Sequence, residues 1–91
     1  MTTGRPWDDT ERGRGAPVAA AFGAELRARR LGRGLTQGAL AEAAGLSVSA
    51  VSLFERGGRQ PSLAASFRLS VALGLGRDGL ARATAARLEG D

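Results

Sequence analysis

Two helix-capping residues set close together, Thr36 and Ser47, constrain this chain more than any other feature. Each opens a short helical pattern, because a Thr or Ser oxygen accepts the orphan backbone N–H groups of a first turn. Gly45 stands between the two patterns and Gly57 closes the second, both suited to the left-handed conformation that ends a helix. Leu40 and Ala44 share one side of the first pattern, and Val51 and Phe54 share one side of the second. Helices this short do not persist in isolation. Flanking helices must therefore pack the pair, leaving an outer side free.

That layout is a helix-turn-helix of the kind that reads DNA. The 91 residues suit one small domain with an all-α, compact bundle of five short helices. The first helix is expected from about Val18 to Arg33, with Phe22, Leu26 and Leu31 as its apolar stripe and Gly34 as its stop. The second and third cover about 37–44 and 48–56. Gly38 weakens the first turn of the second helix, and a close approach to helix three or to a phosphate would rationalise it. Gly57-Gly58-Arg59-Gln60-Pro61 is a loop on turn chemistry. Ser62 then caps a fourth helix, to which Leu63, Phe67, Leu69 and Leu73 contribute apolar surface before Gly74 ends it. A fifth, weakly apolar helix over about 77–89 is expected to fray beyond Leu80. Residues 1–17, rich in Gly, Pro, Thr and mixed charge, read as a mobile, disordered N-terminal tail. Trp7 is its one large apolar group, either loosely held or docked on the domain or a partner. Residues 18–80 are expected to form the helix-turn-helix DNA-binding domain, with 81–91 a C-terminal helical extension as a candidate dimer contact.

The chain has no cysteine and no histidine, which removes disulfides, thiol catalysis and the usual zinc sites. No metal and no cofactor is expected. No apolar run reaches membrane-spanning length and no signal-peptide layout opens the chain, so a cytoplasmic, nucleoid-associated protein is the expectation. Net charge is +4, and its placement is informative. Acidic and basic residues cancel within 1–17 and within 81–91. The excess falls on 18–80, where eight arginines face Glu25, Glu42, Glu55 and Asp78. A generally basic soluble protein is the bland alternative. Every basic residue is arginine, which fits a GC-rich genome as well as a function.

Four pieces in order, FGAELRARR, GLTQGALAEAAGLS, VSLFERGGRQPS and VALGLGRDGL, carry a resemblance. They resemble the lambda repressor/Cro-like (XRE-type) helix-turn-helix regulators over about Phe22 to Leu80. The resemblance implies that Gln37 touches the DNA backbone and braces the recognition helix. It implies that helix three presents Val48, Ser49, Ser52 and Leu53 to base edges, with Ser47 as cap and phosphate contact together. Val51 and Phe54 would then be core. Arg30 and Glu55 fall where such regulators hold a partly buried structural ion pair joining helix one to the end of helix three. Arg56 and Arg59 look like phosphate clamps.

The sequence also departs from that pattern. Val48 and Leu53 stand where many relatives carry Arg, Gln or Lys, and neither can make the bidentate bonds that separate bases. Either T-rich half-sites are read weakly with help from dimerisation and DNA shape, or the face is turned toward another protein. Ser66 and Ser70 replace apolar residues common on helix four, and Arg29 departs similarly in helix one. The leading expectation is a sequence-specific regulator, a repressor, bound to double-stranded DNA as a homodimer. The alternative is a protein-binding module on the same fold, such as an antitoxin held against a toxin, or a small regulatory subunit. Catalysis fares worst, since the acids are scattered and no serine has a visible base partner. No ligand-sensing domain is expected after helix five.

Overall fold

The computed structural model describes residues 9–90, with side chains from 16 onward. Its elements are α1 (Asp9–Gly32), α2 (Gln37–Ala44), α3 (Val48–Glu55), α4 (Leu63–Ala72) and α5 (Gly79–Gly90), with no strand among the described residues. α1 packs on α5 and α3, while α2 packs on α3 and α4. One apolar cluster joins all five: Phe22 and Leu26, Leu40 and Ala44, Val51 and Phe54, Leu69 and Leu73, and Leu80. Leu26, Leu40, Val51, Leu69 and Leu80 are fully buried. Each contributes about 1.5–3 kcal/mol by leaving water, which holds α2 and α3 in a shape they could not keep alone.

Two helices differ from the sequence reading. α1 begins at Asp9, not near Val18, and carries Pro17 inside it. Proline stops many helices, yet its fixed φ is a helical one and a single interior proline removes one backbone bond. The tail expected over 1–17 is thus divided: Trp7 and the rest of 1–8 lie outside the described residues, and the remainder continues α1. α5 does not fray at Leu80 but runs to Gly90. Thr84, buried, donates its hydroxyl to the Leu80 carbonyl at 2.7 Å. Glu25 on α1, with a nearly buried side chain, meets Arg87 at 3.0 Å and Arg29 at 2.8 Å. The hydrogen bond from Arg29 is the main reason the Glu25 carboxyl lies below its ordinary value. Burial opposes the shift and Arg87 adds to it.

Other departures concern which side chains point inward. Leu31, Leu63 and Phe67 are exposed, so the apolar stripes of α1 and α4 are narrower than their sequences suggest. Ser70, a doubtful core residue on sequence grounds, is fully buried and serves a purpose there. Its hydroxyl oxygen accepts the backbone N–H of Leu80 at 2.9 Å, capping the first turn of α5 from the last turn of α4. Ser66 is buried beside it on the same helix.

Gly23 explains how closely α1 approaches α3. A Cβ there would collide with the carbonyl oxygen of Phe54 and stand 2.8 Å from that of Glu55. Gly38, by contrast, has only ordinary contact distances around it, 3.8 Å to Val48 and to Thr36, so helix three does not require a glycine at that position.

Candidate nucleic-acid interface

The two short helices are set by their caps. Thr36 Oγ1 accepts from the Ala39 N–H at 3.0 Å, and Ser47 Oγ accepts from the Ala50 N–H at 3.0 Å. Between them Gly45 adopts a φ of 71°, and the Leu46 N–H reaches back to the Ala41 carbonyl at 2.9 Å. That bond, with the one from the Gly45 N–H to the Glu42 carbonyl at 3.2 Å, turns the chain sharply enough to lay α3 across α2. Ser47 is exposed, and its hydroxyl, which accepts one bond, still has a proton to donate.

The outward residues of α3 are not equivalent. Val48 is half exposed and Ser49 is open to solvent. Ser52 is partly covered, and Arg56 Nη1 donates to its hydroxyl at 3.3 Å. Leu53, expected on the reading side, instead leans onto the following loop. A Cβ added at Gly58 would come within 2.6 Å of Leu53 Cδ1. The Gly58 N–H also donates to the Leu53 carbonyl at 3.0 Å, and the Gly57 N–H to that of Phe54 at 3.0 Å. The reason is the double glycine: with no side chain at 57 or 58, the loop folds back flush with the helix end. Arg59, on the same loop, is exposed and enters no ion pair among the described residues.

Behind α3 lies a three-helix polar junction. Arg30 Nε donates to Glu55 Oε2 at 2.6 Å and Nη2 to Oε1 at 3.0 Å, a bidentate pair. Arg30 Nη1 donates to the Leu35 carbonyl at 2.8 Å. Gln37, first residue of α2, donates its side-chain N–H to Glu55 Oε1 at 3.0 Å. The Arg30 and Glu55 side chains are only 10% and 4% exposed. Burial pushes the Glu55 carboxyl up, but the hydrogen bonds from Arg30 and Gln37 outweigh it and leave the group below its ordinary value. α1, α2 and α3 therefore meet at one carboxylate. The chain brings together Gln37, Ser47, Val48, Ser49, Ser52, Arg56 and Arg59 along the ends and outer side of the two helices, with Leu53 turned toward the loop.

Sequence reasoning missed three elements of this arrangement. Arg33 Nη1 donates to the Leu73 carbonyl at 3.1 Å, closing the end of α4 from just past the end of α1. Gly23 sets the spacing behind α3, and its only signal was a glycine inside an otherwise apolar helical stripe. Arg27, exposed on α1, lies close enough for its charge to act on Glu55.

Comparison with known proteins agrees with this geometry. A family model described as helix-turn-helix matches residues 26–80. The structure is similar to that of the clp gene regulator ClgR from Corynebacterium glutamicum, with a TM-score of 0.72 and 30% sequence identity over 79% of this chain and 77% of that one. No curated protein sequence matches. With the match spanning both capped helices and their flanking scaffold, the chain belongs to the lambda repressor/Cro-like (XRE-type) helix-turn-helix family of DNA-binding regulators.

Proposed function

We propose that the protein is a sequence-specific transcriptional repressor that binds operator half-sites as a homodimer, with α3 in the major groove. One observation carries the reading: α3 is fixed from behind by a buried bidentate pair, while Val48 and Ser49 on its outer side stay open to solvent. In this reading Gln37 and Ser47 contact phosphates at the start of α2 and α3, and Arg56 and Arg59 clamp the backbone past the end of α3. Ser49 and Ser52 supply single hydrogen bonds to base edges, and Val48 an apolar contact to a thymine methyl. Leu53 contributes by holding the Gly57–Gly58 loop. So sparse a set gives one half-site little affinity, and two linked half-sites multiply it. The second copy would dock through α5 or the end of α4.

A salt titration tests the proposal. Log affinity for duplex DNA should fall against log salt with a slope near −5 if about six phosphates are neutralised. A flat response removes the DNA reading. Arg59→Ala should weaken binding to every sequence alike, whereas Ser49→Ala should alter preference among them. A second reading rests on exposed Phe67 and Val71, which line a cleft of about 500 Å³ between α2 and α4. That surface suits a protein partner such as a toxin. Co-purification with an endogenous partner, without a shift of any DNA, would favour it.

A further inference from the structure

We infer that Arg27 is a phosphate-binding residue, so that α1 touches the duplex backbone together with α2 and the loop after α3. The inference rests on the DNA reading above and adds a contact to it.

Its placement follows from one stripe of α1. Residues three and four apart share a side of a helix, so Ala20, Gly23, Arg27 and Arg30 form a row. The row is fixed at three points. A Cβ on Gly57 would stand 3.1 Å from the Ala20 Cα, and one on Gly23 would strike the last carbonyls of α3. Arg30 holds Glu55. Arg27 must then lie between the Gly57 loop and the Arg30–Glu55–Gln37 junction. That places it along the edge of the interface, with Arg56 and Arg59 on one side and the start of α2 on the other.

Its freedom follows from elimination. α1 carries four arginines between Val18 and Gly32 or just past its end, and three are committed. Arg29 pairs with Glu25, Arg30 with Glu55, and Arg33 with the Leu73 carbonyl. Arg27 is exposed and makes no hydrogen bond or ion pair among the described residues. Glu55, on which the Arg27 charge acts, already accepts from Arg30 on both oxygens and from Gln37. Among the described residues nothing therefore occupies the Arg27 guanidinium, which presents a planar fork of donors suited to a phosphate. A backbone strand passing from Gln37 toward Arg59 would run along this row.

The test uses the full chain with Arg27→Ala and Arg27→Lys. Binding is measured across a range of salt to two linear duplexes, one selected from a random library and one of scrambled sequence. Arg27→Ala should weaken both to a similar degree and make the salt slope shallower by about 0.9, the value of one phosphate contact. Arg27→Lys should restore the slope, and the thermal midpoint should not move in either variant. If Arg27→Ala keeps the steep slope of the unaltered protein, the inference fails while the DNA reading stands. If it keeps that slope and melts earlier, Arg27 serves only to balance the end of α3. A flat response from the unaltered protein sinks both.

Discussion

The most exacting prediction concerns Glu55→Ala. The carboxylate accepts three charge-assisted or polar bonds, two from Arg30 and one from Gln37, with its side chain 4% exposed. Removing it strands the Arg30 guanidinium in a nearly water-free site with only the Leu35 carbonyl for company. Breaking one partner of a buried pair costs about 3–5 kcal/mol. In a domain of this size each kcal/mol moves the midpoint by about 4–8 °C, so even the lower figure lowers it by about 12–24 °C. Thermal melts followed by far-UV circular dichroism at neutral pH measure this directly. The double variant Arg30→Met with Glu55→Leu should lose much less than the two single losses added together, because no charge is left unpaired. The reasoning is refuted if Glu55→Ala melts within about 0.5 kcal/mol of the unaltered protein, the scatter of an ordinary surface substitution.

Three further outcomes come from the packing. Gly23→Ala should destabilise the domain by about 1–3 kcal/mol, since a methyl must push α1 off the last carbonyls of α3; an unchanged denaturant midpoint would refute the close approach. Ser70→Ala should cost about 1–3 kcal/mol by leaving the buried Leu80 N–H unpaired, and amide exchange at Leu80 should quicken. Stability should also fall as pH drops below 4.5, the ordinary carboxylate value. Glu25 and Glu55 both ionise more readily folded than unfolded, so the unfolded chain binds more protons in that range and their contribution disappears once both are protonated. Denaturant unfolding across that pH range should show the decline, and a flat profile would contradict the two assignments.

Much of the fold was legible because it rests on local chemistry. Thr36, Ser47 and Ser62 each accept the N–H three residues on, and cap chemistry of this kind is visible in sequence alone. Inward positions at helical spacing, such as Leu40 with Ala44 and Val51 with Phe54, were equally plain. The extent of α1 was not, because Pro17 and the glycines beside it are local stop signals. The persistence of α5 depends on Glu25 and Ser70, which belong to other helices and so leave no mark on the α5 sequence. The orientation of the outward side chains of α3 was not legible. Leu53 and Ser52 differ from Ser49 through their C-terminal neighbours, a double glycine in one case and the Arg56 side chain in the other.

The junction at Glu55 has a consequence for redesign. The residues that anchor α3 to its scaffold, Val51, Phe54 and Glu55, share no position with Val48, Ser49 and Ser52, which face outward from it. Under the proposed DNA reading, grip and lettering are thus separate on this helix, like a stamp whose handle is moulded apart from its type. Exchanging the three outer side chains should yield proteins of equal melting temperature and altered target choice.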